Sequence, residues 1–123
     1  FLAYGTMRKP LQFENDLPVV EGWWQKLGRT TQTRRLPAVM HSVWKAPDGS
    51  LGLVFCNITR EEQSVTYDLD LADYGFAPGG QYEVRELTDE GETRKRESYG
   101  SAIFRRTEHL PGLEARMLQV RPK

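Results

Sequence analysis

Residues 37–57 read PAVMHSVWKAPDGSLGLVFCN, two apolar runs on either side of Pro47-Asp48-Gly49-Ser50. Proline presets φ and glycine permits a positive φ, so these four residues reverse the chain. The first arm, Ala38 to Ala46, alternates: Met40 and Trp44 on one side, Val39, His41 and Val43 on the other. Period two makes it a strand. The second arm, Leu51 to Ile58, is almost continuously apolar, which suits a central strand. The pair is a β-hairpin, and the fold is read outward from it.

Downstream, Val65, Tyr67, Leu69 and Leu71 share one face of a strand, with Thr66, Asp68 and Asp70 on the other. One wet face means one layer of a sandwich. Ala72 to Gly80 is a loop broken by Pro78-Gly79-Gly80, and Gln81 to Leu87 a strand with Tyr82 and Val84 inward. Asp89 to Glu92 is a turn. Thr93 to Glu97 is a polar edge strand whose charges discourage edge pairing. Ala102 to Arg106 is a further strand. Pro111-Gly112 turns the chain, and Leu113 to Val120 closes the domain with Leu118 and Val120 buried. Six or seven strands in residues 37–121, punctuated by turn residues and without helical periodicity, predict an all-β fold: a two-sheet antiparallel β-sandwich. It occupies 37–123. Residues 1–36 sustain no period and are read as an irregular N-terminal lead-in segment with one or two short strands.

The 123 residues suit one domain, large enough to bury a core unaided. Seventeen basic residues balance 17 acidic ones, which argues against nucleic acid or an anionic membrane as partner. The short basic clusters, Arg34-Arg35, Arg94-Lys95-Arg96 and Arg105-Arg106, mostly have acidic neighbours and are read as solvated surface. No apolar run is long enough for a membrane helix, and the first residues carry no signal-peptide pattern. The chain does not begin with methionine, which suggests a processed product or a domain cut from a larger protein.

No constellation for chemistry stands out. The single cysteine, Cys56, sits in an apolar run and reads as a small hydrophobe. His41 and His109 form no motif with it. Asp68 and Asp70, with Asp73 nearby, are paired carboxylates, but a flat wet strand face offers no desolvation to tune a general acid. Metal-ligand spacing, a phosphate loop and a Gly-x-Ser-x-Gly elbow are absent from the sequence, so no catalytic residue, metal ligand or cofactor is assigned. Asn57-Ile58-Thr59 matches a glycosylation sequon at the end of an apolar strand. Aromatics are the remaining signal. Trp44, on a central strand, is expected in the core. Trp23 and Trp24 are adjacent, so on an extended chain they point opposite ways and one faces outward. With Tyr4, they are the candidate residues for an interdomain contact or a glycan-stacking platform.

The run Ser42-Val43-Trp44-Lys45, Asp48-Gly49-Ser50 and Leu51 to Thr59 resembles the opening of the C-terminal β-sandwich of large bacterial glycoside hydrolases with (β/α)8 catalytic barrels. Glu61 to Val65, leading into an alternating strand, and Leu110 to Val120, similar to their closing strand, extend it. Phe1 to Met7 resembles the exit from the barrel's last helix. In that family the catalytic carboxylates belong to the barrel, and no position here matches them. The resemblance implies a non-catalytic accessory domain whose partner is the catalytic barrel of a parent chain, with 1–36 leading in from that barrel. The alternative is a carbohydrate-binding module that uses exposed aromatics.

Overall fold

The computed structural model describes residues 5–25, 31–88, 90 and 92–123, with backbone alone at 22–25 and 31–34. Ten strands and one short 3-10 helix lie among these residues. They are β1 (Thr6–Arg8), β2 (Val19–Gln25), β3 (Thr31–Pro37), β4 (Val39–Lys45), β5 (Leu51–Asn57), β6 (Gln63–Asp70), β7 (Tyr82–Leu87), β8 (Thr93–Tyr99), β9 (Ile103–Leu110) and β10 (Ala115–Pro122), with the helix at Leu71–Tyr74. The large sheet has the order β1-β4-β5-β10-β7-β8, the small one is β6-β9, and β2-β3 form a separate two-stranded sheet. Every pairing is antiparallel. The protein is an all-β antiparallel sandwich.

The opening hairpin is β4-β5. Asp48 closes its turn by accepting from the Ser50 amide at 2.9 Å and from Ser50 Oγ at 2.6 Å, while Gly49 takes φ +90°. A side chain at that φ would be strained, so glycine is required there. β5 runs between β4 and β10 and so is central. Leu51, Leu53 and Phe55 are fully buried, facing Val65, Tyr67 and Leu69 of the small sheet. Phe55 and Tyr67 carry the contact between layers, with ring centroids 5.7 Å apart. Each such side chain contributes about 1.5–3 kcal/mol by leaving water.

The segment between β1 and β2 straps the small sheet to the core. Leu11 is buried, and Phe13 packs on His41 at 4.6 Å between centroids. The edge of β6 away from β9 is covered by this strap rather than left open. The Glu14 amide donates to the Thr66 carbonyl at 2.8 Å. Asn15 then imitates a strand, its Nδ2 donating to Ser64 O and its Oδ1 accepting from Thr66 N. A blocked edge cannot recruit another chain.

Three parts differ from the sequence reading. Residues 1–36, read as an irregular lead-in with one or two short strands, supply three, β1, β2 and nearly all of β3, and β1 joins the large sheet beside β4. The stretch after β6, expected to be loop from Ala72, opens with the 3-10 helix because Asp70 caps it, accepting from Ala72 N at 3.1 Å, and Gly75 ends it at φ +87°. The strand expected to stop at Arg106 continues to Leu110. Its charged residues alternate with buried Phe104, Glu108 and Leu110, so the strand period persists through them.

Candidate functional site

Tyr4 lies outside the described residues. Trp23 and Trp24 lie in β2, opposite Thr33 and Gln32 of β3, and their side chains are outside the description. Trp44 is not in the core as expected. The inward face of β4 belongs to Val39, His41 and Val43, so Trp44 stands half-buried on the opposite face, its Nε1 donating to Ser42 Oγ at 2.8 Å.

Register assembles that opposite face into an apolar tract. Met7 lies beside Trp44; Val54, Met117 and Leu87 follow each other across β5, β10 and β7; Met40 lies beside Cys56. Met7 is 60% exposed and Met40 41%.

The carboxylates weighed for chemistry have structural partners. Asp68 lies across from Arg105 and accepts from its Nε at 3.0 Å, which holds the carboxyl below its ordinary range. Asp70 caps the short helix, and Asp73 pairs with Lys9 at 2.9 Å. Cys56 and His41 belong to opposite faces of one sheet, because His41 pairs with Phe55 and Met40 with Cys56. His109 meets Ser64 Oγ at 2.8 Å. Asn57 of the sequon is buried, and its amide is spent on internal carbonyls, so it is no glycan acceptor in the folded chain.

His41 secures the strap. Its Nε2 accepts the Leu11 amide at 3.0 Å, and burial lowers its pKa because the imidazolium is costly to desolvate. A proton on Nε2 would set two donors against each other. The unfolded chain therefore takes up this proton first as pH falls. Stability from His41 is complete above the ordinary histidine pKa of about 6.5 and is lost as pH falls through the lower folded value. Urea midpoints measured from pH 8 to 5 are expected to decline more steeply in the wild type than in His41→Phe, which keeps the ring against Phe13. Equal slopes would remove His41 from the account.

The sequence reading missed a buried charged cluster. Arg106, expected at the surface, points inward from β9, with 9% of its side chain exposed. The reason is the register of β9: Phe104, Arg106, Glu108 and Leu110 share its inner face. Arg106 Nε donates to Glu108 Oε1 at 2.8 Å, and its Nη1 reaches Glu97 at 3.0 Å and the Tyr99 hydroxyl at 2.7 Å. Burial alone would lower the pKa of Arg106, but the Glu108 carboxylate outweighs it and keeps the guanidinium charged. Burial likewise pushes Glu97 up, and the Tyr99 hydrogen bond with the Arg106 charge reverses the direction. Tyr67 is raised by burial and by Glu108, so it stays a phenol. Tyr99 stacks on Phe104 at 3.9 Å, tying β8 to β9. Beside the cluster opens a cleft of about 260 Å³ between β9 and the inner faces of β7, β8 and β10.

No family model matches the chain, and no curated protein matches it. Among solved structures, a GH51 arabinofuranosidase from Xanthomonas axonopodis pv. citri is similar at 18% identity and a TM-score of 0.33. The match covers 76% of this chain and 22% of that one. A likeness this weak carries no argument about activity.

Proposed function

We propose that this chain is a non-catalytic accessory β-sandwich domain of a glycoside hydrolase-like protein, which packs on the catalytic barrel and stabilises it. The resemblance of residues 42–59 and 110–120 to the C-terminal sandwiches of such enzymes motivates the reading. The observation that carries it is the outer face of the large sheet. A sandwich needs only one apolar face per sheet, yet Met7, Met40, Trp44, Val54 and Met117 line the second one. A neighbouring domain would bury it.

The test is a pair of charge substitutions, Met40→Glu with Trp44→Glu. In the isolated chain the cost is expected to stay within about 1–2 kcal/mol, because neither side chain belongs to the core. In the parent protein the same pair is expected to separate the melting of sandwich and barrel into two transitions. One unchanged cooperative transition would refute this surface as the contact.

A further inference from the structure

We propose that the free edge of β9 receives one further strand, an extended segment of the parent protein from outside residues 1–123. The inference rests on the accessory-domain reading for the existence of that parent. It uses neither the outer face of the large sheet nor Tyr4, Trp23 or Trp24.

The strap reveals which way the backbone of β9 points. The Thr66 amide donates to Asn15 Oδ1 and the Thr66 carbonyl accepts from the Glu14 amide, so both groups turn away from β9. In an antiparallel ladder, residues directly opposite either bond each other or both turn outward. Thr107, opposite Thr66, therefore turns its N–H and C=O away from β6. Alternation gives Arg105 and His109 the same orientation. Ser64, opposite His109, agrees: its carbonyl accepts from Asn15 Nδ2 on the strap side. Among the described residues none of these three has a backbone partner, because β9 pairs with β6 alone. The Thr107 and His109 side chains meet Thr66 and Ser64 on the outer face, so what they present at the edge is backbone.

Other sheet edges are guarded. β1 has three residues, the strap covers β6, and β8 carries Arg94, Lys95 and Arg96. β9 offers eight residues without such cover. Beside it the inner face of β8 is bare as well. Lys95 and Glu97 lie opposite Glu86 and Val84 of β7 and so share the face of buried Val84, yet 67% and 37% of their side chains are exposed. One strand added to β9 covers that part of β8 and meets the edge groups together. A second copy of the chain does not fit, because its own β7 and β8 would enter the space that β7 and β8 already hold. The side chains around the edge are paired with one another: Arg106 with Glu108 and Glu97, Arg116 with Glu86, Lys95 with Glu97. They offer no pocket to select a free peptide, so backbone hydrogen bonds carry the contact. Such bonds suit a tethered segment, which is held at high effective concentration.

The experiment is amide-resolved hydrogen exchange, read by mass spectrometry, on the 123-residue chain and on the parent protein. In the chain alone the Arg105, Thr107 and His109 amides are expected to exchange close to free-peptide rates, while those of Arg106 and Glu108, which face β6, are protected. In the parent the first three are expected to slow by about a hundredfold or more. A photo-crosslinking residue in place of Thr107 is expected to join one stretch of the same parent chain outside residues 1–123. Thr107→Pro removes the central donor at a position where an edge strand tolerates proline, and is expected to return Arg105 and His109 to fast exchange in the parent. Should that variant not fold, the exchange of the unaltered proteins decides. Equal exchange at Thr107 in chain and parent overturns the proposal, as does a cross-link to a second copy or to a separate protein. Melting of the Met40→Glu, Trp44→Glu pair tests the outer face separately, so either reading can fail alone. A protein holding nothing beyond residues 1–123 overturns both.

Discussion

Replacing Arg106 with methionine is expected to destabilise the chain by about 3–5 kcal/mol, the usual cost of removing one partner of a buried ion pair. Glu108 has 3% of its side chain exposed and accepts from Arg106 at 2.8 Å. Without the guanidinium it retains, among the described residues, only the Tyr67 hydroxyl, at 3.4 Å. A carboxylate so enclosed must take up a proton or be left uncompensated, and either outcome subtracts from folding. Glu97 and Tyr99 lose a donor as well, though Glu97 is more exposed and is resolvated at little cost. The double replacement Arg106→Met with Glu108→Leu is expected to recover most of the loss, because an apolar pair of similar volume needs no charge compensation. Urea unfolding of the four proteins of this cycle measures the coupling. A single-variant loss under about 1 kcal/mol would mean the cluster is far wetter than its burial indicates.

Asn57 carries the second large effect. Its Nδ2 donates to the carbonyls of Glu61, Leu110 and Pro111, at 2.7, 2.9 and 3.2 Å, and its Oδ1 accepts from the Thr59 amide and hydroxyl. One side chain thus joins the end of β5 to the β9-β10 turn. The same junction is fastened by the Leu113 amide on the Thr59 carbonyl, at 2.7 Å. It is so close that a methyl group on Gly112 would collide with the Arg60 carbonyl. Asn57→Ala leaves buried carbonyls without donors, for an expected loss of about 3 kcal/mol. Asn57→Asp is expected to lose more near neutral pH, since a carboxylate would face carbonyl oxygens. It is expected to approach Asn57→Ala as acid protonates it. Thermal melts at pH 7 and pH 4 separate the two cases, and an Asn57→Asp protein as stable as wild type would refute the donor assignment.

The strands that alternate cleanly were legible from the residues. Val65, Tyr67, Leu69 and Leu71 are all buried, as their period requires, and Tyr82 and Val84 face inward as expected. The turn at Pro47 to Ser50 followed from its chemistry. Residue type alone puts Trp44 in the core, but register decides its place: Val39 and Val43 occupy the inner face of β4. Register likewise decides the place of Arg106. A charge pair between Phe104 and Leu110 on a period-two strand must share their face, but adjacent Arg105 made the dipeptide read as surface. Asn57 showed only a sequon, because its function depends on carbonyls more than fifty residues away. The strap over β6 was invisible for a related reason. Asn15 and Glu14 bond a strand edge that exists only once β6 has formed.

The most direct test of the accessory-domain reading is the coding DNA upstream of the Phe1 codon. The account predicts a continuous open frame of several hundred codons, with alternating strand and helix patterns and carboxylates at strand ends, as a (β/α)8 barrel requires. A start codon immediately before Phe1, with no such frame, would contradict it.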